Sequence, residues 1–318
     1  MERERPVVTV LGASGFVGSA VVAALAARPV TVRAVARRAC PARDGVEVRT
    51  ADLTDPDQVR AVVAGSDAVV HLLLPSAGWR AEGAESERVN VGVMRDLIAC
   101  VRADRRRPVV LFAGSVSQAG PTPGLPIDGS EPDRPDSVYD RQKQTAESLL
   151  KAATRAGDLR GISLRLSTVY GCVAGERCAD RGVLATMTRK ALVGEPLTVW
   201  DGGAMERDLI HVTDVAEAFA AALAHPDALS GRHWVIGTGR GERLRDAFAA
   251  VAASVATRTG RPPVPVVTVP APAAASSTDL RGVVVDPSAF AAATGWRARV
   301  PFRAGLDAAV TALARDAY

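Results

Sequence analysis

The stretch "VTVLGASGFVGSAVV" at residues 8–22 decides the fold class of this chain. It places Gly12, Gly15 and Gly18 between an apolar run of strand length and an alanine-rich stretch of helical character. A glycine at the first position permits a tight turn, and one at the second lets the backbone approach a pyrophosphate at a helix N-terminus. A glycine at the third position allows the helix to pack closely on the strand. The pattern therefore predicts a strand–turn–helix unit that cradles a phosphate group.

Five more apolar runs of strand length follow the first one, with alanine-rich helical stretches among them. The predicted strands span residues 6–12, 30–37, 46–53, 67–75, 108–115 and 161–171. Continuous valine and leucine runs, without polar alternation, indicate strands that are covered on both faces. Alternating strands and helices predict right-handed crossovers and a parallel sheet. The predicted fold class is therefore α/β, with a Rossmann-type doubly wound parallel sheet.

After residue 171 the regular alternation of strands and helices gives way to loops and shorter elements, which predicts a smaller α/β lobe. Its predicted elements are a loop at 172–182, a helix at 183–196, a strand and helix at 208–225, a helix at 242–258, an extended strand and loop at 261–279, and two short helices near the end. We expect the dinucleotide-binding domain to comprise 1–171, with 205–237 returning to it. Segments 172–204 and 238–318 would then form a discontinuous substrate-binding lobe.

Length and charge exclude several classes of protein. At 318 residues the chain can form two lobes or one large α/β domain. The net charge of +4 is modest, and no dense basic block with aromatic residues indicates a nucleic-acid surface. No stretch of about 18 residues is uniformly apolar, so no membrane-spanning helix is expected. The charged N-terminus runs directly into a strand without a signal-peptide core, which predicts a cytoplasmic protein.

The four cysteines follow no metal-binding pattern. Cys172 and Cys178 lie six residues apart, without a second pair or neighbouring histidines. We therefore expect no metal site, and we expect free thiols throughout.

Tyr139 and Lys143 stand four residues apart in "SVYDRQKQTAE", at residues 137–147, where a helix is predicted to begin. On a helix this spacing puts both side chains on one face. An ammonium close to a phenol favours the phenolate and lowers the tyrosine pKa, which makes the group a better acid and base at neutral pH. Ser137 is placed to cap the helix.

The glycine spacing and the Tyr-xxx-Lys pair together resemble the extended short-chain dehydrogenase/reductase family, over nearly the whole chain. The resemblance implies that Tyr139 is the general acid in carbonyl reduction. Lys143 would lower the pKa of Tyr139 and hold the nicotinamide ribose. Ser115, 24 residues before the tyrosine, would hydrogen-bond the substrate carbonyl, with Ser117 as a backup. Asn90 matches the family's helix asparagine, which positions a water near the lysine.

The end of the second predicted strand bears on the choice of nicotinamide cofactor. An acidic residue there accepts hydrogen bonds from a free ribose 2′-hydroxyl, whereas an arginine accommodates a 2′-phosphate. This chain has Arg37 and Arg38 with no acid beside them in the sequence, and a guanidinium forks onto phosphate oxygens. Ser14 can add a hydroxyl bond. These residues favour NADP(H).

The resemblance implies further contacts with the cofactor. Asp52 would face the exocyclic amine of the adenine, and Leu53 would lie against its ring. The other residues expected around the cofactor are Phe16, Val17, Leu72, Leu73, Leu74 and Val169.

The C-terminal part resembles the family segment that binds the diphosphate of a nucleotide sugar. Arg207, just before "DLIHVTDV", matches the arginine of that segment, and bidentate contact with phosphate is a reason for arginine there. Trp200 would flank the base. Thr168 stands where the family has an asparagine that helps to hold the diphosphate.

The residues after the fifth predicted strand narrow the reaction class. This chain has Ser115-Val116-Ser117 where the family's dehydratases have Thr-Asp-Glu, so dehydration is not expected. The overall texture resembles the deoxysugar 4-ketoreductases of actinomycete antibiotic pathways. That resemblance implies NADPH-dependent reduction of a nucleoside-diphosphate 4-keto-6-deoxysugar, linked to TDP. The alternatives are a nucleotide-sugar epimerase, a 3-ketoreductase, a reductase of a non-sugar carbonyl, and a non-catalytic NADP(H) sensor. The family also implies a homodimer, formed through a four-helix bundle that includes the Tyr139 helix.

Overall fold

A computed structural model of the chain describes residues 5–38, 40, 43–121, 124, 126–272, 275 and 279–316. The strands of this part are, in chain order, β1 (Val7–Leu11), β2 (Thr31–Ala36), β3 (Val46–Thr50), β4 (Ala68–His71), β5 (Val109–Ser115), β6 (Arg160–Leu166), β7 (Thr168–Tyr170), β8 (Leu197–Trp200), β9 (Glu206–His211), β10 (His233–Ile236), β11 (Gly241–Arg243) and β12 (Val266–Val269). The predicted segment at 261–279 lies partly outside the described residues, because 273–274 and 276–278 are not among them.

Helices connect these strands. They are α1 (Phe16–Ala26), α2 (Pro56–Val63), α3 (Ala84–Glu87), α4 (Val93–Asp104), α5 (Val138–Arg155), α6 (Val183–Leu192), α7 (Val212–Ala224), α8 (Pro226–Leu229), α9 (Leu244–Thr259), α10 (Ser288–Thr294) and α11 (Phe302–Asp316). A π-helical turn over Arg88–Gly92 joins α3 to α4, and a 3₁₀ turn over Val116–Ala119 follows β5. None of the helices in the described ranges has both the length and the apolar character needed to cross a bilayer.

The main sheet has seven strands in the order β10-β6-β5-β4-β1-β2-β3, and every neighbouring pair is parallel. Strand order runs outward from β1 in both directions, so the sheet reverses between β1 and β4. In open parallel sheets, ligands bind beyond the carboxyl ends of the strands at this reversal point. The predicted Rossmann-type parallel sheet is confirmed.

Side chains alternate between the two faces of this sheet and feed two separate apolar cores. Val10 and Val70 pack with residues of α1 and α7 on one face. Leu11 and Val69 point the other way and pack with residues of α2, α4 and α5. Because successive residues of a strand point to opposite faces, a strand between two helical layers must be apolar throughout. This explains the continuous valine and leucine runs of the sequence.

The C-terminal elements form two small sheets, β11-β9-β7 and β12-β8, and a third core shared by α6, α9 and α11. One predicted strand, at 161–171, is divided here. The Ser167 N–H donates to the Ile236 carbonyl at 2.9 Å, and the chain then leaves the main sheet so that β7 pairs with β9. Segment 233–236 returns to the main sheet as β10, beside β6. The predicted division of the chain into two domains stays a prediction.

The cysteines differ from the expectation of free thiols. Cys172 and Cys178 form a disulfide, whereas Cys40 and Cys100 are free. The turn after β7 brings the Cα atoms of the pair to 5.1 Å, which is within the range that a disulfide spans. Sequence spacing alone gave no sign of this approach.

Candidate active site

The glycine loop between β1 and α1 has the close packing that its spacing predicts. Gly12 has a φ of 88°, a left-handed conformation that favours glycine. A Cβ on Gly18 would lie 2.0 Å from the Gly12 carbonyl oxygen, so the helix approaches the turn too closely for any side chain there. The N–H groups of Gly12 and Ala13 both donate to the Val35 carbonyl at 3.0 Å, which ties the loop to β2.

The N-terminus of α1 is open toward solvent. Gly15 caps the helix without a side chain, it is exposed, and the first turn contains no acidic residue. The first N–H groups of a helix have no intrahelical acceptor, and the helix dipole favours an anion beside them. Ser14 is exposed next to this end, and Phe16 and Val17 are half-buried in the first turn. These residues fit the pyrophosphate of a dinucleotide.

The residues at the ends of β2 and β3 lie close to one another. Arg37 and Arg38 are both exposed, just beyond β2. Asp52 follows β3, and its carboxylate accepts from the Thr54 N–H and hydroxyl at 3.0 and 2.8 Å. The Thr54 hydrogen bonds, and then the charge of Arg37, lower the Asp52 pKa. Leu53 is buried. The carboxylate expected to face the adenine amine is thus held by Thr54.

The segment after β4 packs against the first glycine of the loop. The Leu72 N–H donates to the Leu11 carbonyl at 3.0 Å, and a Cβ on Gly12 would lie 3.1 Å from the Leu72 carbonyl oxygen and 3.3 Å from the Leu73 side chain. Leu72 and Leu73 are half-buried, whereas Leu74 is 44% exposed. The first two leucines therefore pack against the glycine loop at the reversal point of the sheet.

Tyr139 and Ser115 meet beyond the carboxyl end of β5. Tyr139 is the second residue of α5, and its hydroxyl is hydrogen-bonded to the Ser115 side chain. Ser137 caps the helix by accepting from the Asp140 N–H at 3.0 Å, as predicted. Ser115 caps the 3₁₀ turn that follows β5, and its own N–H donates to the Gln118 amide oxygen at 2.8 Å. Both residues of the pair are therefore fixed by caps.

Lys143 lies one helical turn beyond Tyr139 and is only 3% exposed. Its Nζ donates to the Ala113 carbonyl of β5 at 3.0 Å, and lies 4.8 Å from the Phe112 ring centroid and 5.7 Å from that of Tyr139. Burial disfavours the ammonium form and lowers the Lys143 pKa to about 8.

The pKa of Tyr139 differs from the expectation. Burial and the nearby charge of Asp140 raise the Tyr139 pKa above its ordinary value. Lys143 does not reverse the shift, because a lysine with a pKa of about 8 has lost most of its charge before a phenol ionises. Tyr139 therefore keeps its proton at neutral pH.

Asn90 lies in the π-helical turn and is buried against α5. Its amide donates to the Gln142 amide oxygen at 2.8 Å, and Gln142 immediately precedes Lys143. The Asn90 carbonyl oxygen has no hydrogen-bond partner among the described residues. π-Turns are frequent at functional sites, and this one holds a buried acceptor on a side chain that is hydrogen-bonded to α5, the helix of Lys143.

Two residues near the site were not predicted. His71, the last residue of β4, is fully buried and packs edge-on against Phe112. Burial, and then the charge of Lys143, lower its pKa to about 3, so it is neutral. Its only sequence signal is a histidine inside the apolar run "DAVVHLLLP". The second residue is Arg281, which forms an ion pair with Asp136 at 2.8 Å and belongs to no recognisable sequence motif. In the described ranges, no group of three or more His, Cys, Asp or Glu side chains can hold a metal ion.

The residues predicted to bind substrate occupy three different strands. Arg207, in β9, donates to the Asp279 carbonyl at 2.9 Å. Burial lowers its pKa, the charge of Asp279 opposes this, and the charge of Arg281 adds to it. Two guanidinium groups therefore lie near each other beside the Tyr139 helix. Thr168 in β7 and Trp200 at the end of β8, also predicted to bind substrate, are half-buried, as is Val169 in β7, which was predicted to contact the cofactor.

Comparison with known proteins identifies the family of the chain. Residues 8–237 match the family model described as the NAD dependent epimerase/dehydratase family. That segment covers more than half of the chain, and it contains the glycine loop and the Tyr139–Lys143 pair.

The chain belongs to this family.

The resemblance to the extended short-chain dehydrogenase/reductase family, expected from the glycine loop and the Tyr139–Lys143 pair, is thereby confirmed. The sequence is 32% identical over 239 residues to 2'-dehydrokanamycin reductase of Streptomyces kanamyceticus, which covers 71% of this chain and 62% of that protein. It is 29% identical over 233 residues to dTDP-4-dehydro-6-deoxy-D-allose reductase of a Streptomyces species, covering 66% of this chain and 70% of the relative. The chain thus spans less than two thirds of the first of these epimerase/dehydratase-family relatives.

A solved protein structure has the same fold as this chain. The structure of MoeE5 in complex with UDP-glucose and NAD superposes with a TM-score of 0.81 at 26% identity, over 98% of this chain and all of that one. The likeness supports the assignment of the chain to the epimerase/dehydratase fold. The choice between NAD and NADP rests on this chain's own residues.

Proposed function

We propose that this protein is an NADPH-dependent ketoreductase that reduces the 4-keto group of a nucleoside-diphosphate 4-keto-6-deoxysugar. The observation that supports it most is the state of Tyr139. Its phenol is fixed by Ser115, retains its proton at neutral pH, and lies at the same sheet edge as the glycine loop. A reductase needs a proton donor at this place, and a proton-retaining phenol suits net reduction.

The proposed reaction gives each of these residues a role. When bound, the nicotinamide ring supplies the hydride that adds to carbon 4. Tyr139 donates its proton to the carbonyl oxygen, which completes the alcohol. Ser115 holds the phenol in place, and Lys143 contributes the ribose contact from one helical turn away. His71, buried and neutral, adds no competing charge beside the lysine.

The choice of NADP(H) rests on the ends of β2 and β3. Arg37 and Arg38 are exposed just beyond β2, and the end of this strand is where a Rossmann fold reads the ribose 2′-substituent. The Asp52 carboxylate accepts hydrogen bonds from Thr54, and the charge of Arg37 acts on it. A guanidinium pair attracts a 2′-phosphate, whereas a hydroxyl gains little from it.

The substrate assignment rests on Arg207 and Arg281. Two guanidinium groups near each other in a partly buried site suit a diphosphate better than a neutral ketone. The relatives named as reductases, one of them acting on a dTDP-4-dehydro-6-deoxy sugar, support a keto-sugar. We propose TDP as the nucleotide. Epimerisation of a nucleotide sugar is the second candidate function, because the matching family model includes epimerases.

The decisive experiment follows NADPH absorbance with TDP-4-keto-6-deoxyglucose as the substrate. We expect consumption of NADPH, with a higher kcat/KM than for NADH, and one alcohol formed per NADPH oxidised. Tyr139→Phe should lower kcat by about 10²–10⁴-fold, since it removes the proton donor. Tyr170→Phe is the matched control, because Tyr170 is buried away from this pair and donates to the Phe302 carbonyl.

Two results would contradict the proposal. Full turnover by Tyr139→Phe would exclude the phenol as the proton donor. Interconversion of two keto-sugar or sugar isomers without net consumption of NADPH would establish an epimerase instead.

A further inference from the structure

A chain of hydroxyl groups leads from Tyr139 to a buried carboxylate. The Tyr139 hydroxyl is bonded to the Ser115 side chain, and Ser115 Oγ lies 2.7 Å from Ser117 Oγ. The Ser117 hydroxyl donates to Oδ1 of Asp140. The second oxygen of Asp140 accepts from the Ser137 hydroxyl at 2.6 Å. Asp140 is fully buried, although it follows the tyrosine directly in the sequence.

The number of protons on these hydroxyl groups determines which group donates and which accepts in each hydrogen bond. Each serine hydroxyl has one proton, and an ionised carboxylate accepts only. Because Ser117 donates its proton to Asp140, it must accept from Ser115. Ser115 has then committed its proton to Ser117, so it accepts from Tyr139. The hydroxyl protons of Tyr139, Ser115 and Ser117 therefore all point along this series of hydrogen bonds, away from the phenol oxygen and toward Asp140.

We infer that Asp140 is a positioning residue for the reduction, which orients the Ser117 and Ser115 hydroxyls so that Tyr139 stays protonated and held. The inference rests on the proposed function for its meaning, because a phenol kept protonated serves a reductase. The negative charge of Asp140 acts in the same direction, since it disfavours a phenolate beside it.

Helix capping alone does not account for this arrangement. Ser137 already caps α5 through its own hydroxyl, and a carboxylate that only supported the cap would need one oxygen. A buried carboxylate is costly unless its oxygens accept hydrogen bonds. The oxygen of Asp140 that the cap does not use is the one that accepts from Ser117.

Other charged groups face this region and do not duplicate the effect. Lys143, on the same helix, donates to the Ala113 carbonyl. Glu147, two turns along α5, is paired with Arg165 and Lys151. From β4, His71 is neutral. From the preceding loop, Asp136 is paired with Arg281.

The test is a titration of tyrosinate absorbance at 295 nm, which needs neither cofactor nor substrate. The chain has only three tyrosines, so subtracting the Tyr139→Phe titration isolates Tyr139. Asp140→Asn removes the charge, and we expect the ionisation constant of Tyr139 to rise about tenfold. Ser117→Ala leaves the charge but lets Ser115 turn and donate to the phenolate, so the constant should again rise about threefold to tenfold.

Matched variants separate this effect from a loss of structure. Ser117→Thr retains the hydroxyl and should titrate like the wild type. Asp158→Asn removes an equal charge beyond the far end of α5, where Asp158 pairs with Arg102, and should change nothing. In the reductase assay, Asp140→Asn should lose kcat at a lower pH than the wild type, because the reaction needs the protonated phenol.

The outcomes distinguish this inference from the proposed function. Unchanged Tyr139 titrations in folded Asp140→Asn and Ser117→Ala would overturn the inference, even if the wild type reduces the keto-sugar. If the Tyr139 titrations shift in these variants but the wild type oxidises NADPH with none of the keto-sugars tested, the inference stands and the proposed function is refuted. A shift in Asp140→Asn but none in Ser117→Ala would overturn the role of the hydroxyl chain.

Discussion

At the scale of single residues, Lys143 is a buried cation whose protonation changes within the ordinary range of assay pH. Burial lowers its pKa to about 8, so the ammonium is present below pH 8 and is lost as the pH rises through that value. A neutral amine attracts the cofactor less, so we expect the Kd for NADPH to rise about threefold to tenfold between pH 7 and pH 9. Titration of NADPH fluorescence measures this.

The same titration on Lys143→Met tests the assignment. This variant should bind NADPH more weakly than the wild type and with no change through pH 8. Lys190→Met is the control, because Lys190 is a partly exposed lysine near Glu195 and should retain the wild-type pH dependence. A wild-type pH dependence in Lys143→Met would show that another group is titrating.

At the scale of elements, the β1–α1 unit depends on the absence of a side chain at Gly18. A methyl group there would lie 2.0 Å from the Gly12 carbonyl oxygen, and backbone on both sides of the contact has to move. Gly18→Ala should lower the free energy of unfolding by about 1–3 kcal/mol, as overpacking does. It should also weaken NADPH binding at least tenfold, because the loop and the helix N-terminus would separate.

Denaturant unfolding and NADPH titration together check this prediction. Gly124→Ala is the control, because Gly124 is exposed and a Cβ there meets nothing within 4 Å. Surface changes of this kind alter stability by about 0.5 kcal/mol or less. Wild-type stability and NADPH affinity in Gly18→Ala would show that the loop tolerates the wider separation.

At the scale of the whole molecule, cofactor and substrate contacts are predicted on different sheets. The glycine loop belongs to the seven-stranded sheet, whereas Arg207 lies in β9 of the three-stranded sheet. Arg207→Ala should therefore raise the KM for the nucleotide sugar about tenfold to a hundredfold, with the Kd for NADPH unchanged. Arg243→Ala is the control, since Arg243 is an exposed arginine of the neighbouring strand β11. Equal losses for both ligands would mean that Arg207 supports the fold.

A homodimer and a cytoplasmic location stay predictions at this scale.

The amino-acid sequence by itself determined the parallel sheet, the approximate positions of six of its strands along the chain, and the close packing of the glycine loop. Those features depend on local patterns: apolar runs for buried strands, glycine where no Cβ fits, and serine where a helix begins. Tyr139, Lys143 and Ser115 were also predictable, because their order along the chain matches a family motif.

The tertiary structure decided what depends on approach through space. Only folding brings Cys172 to Cys178, divides the sixth predicted strand into β6 and β7, and places Arg281 near Arg207. The direction of the Tyr139 pKa shift was wrong in the sequence prediction for the same reason. Burial and a neighbouring carboxylate set that pKa, and neither the burial of a phenol nor the aim of the Asp140 side chain is written in residue spacing.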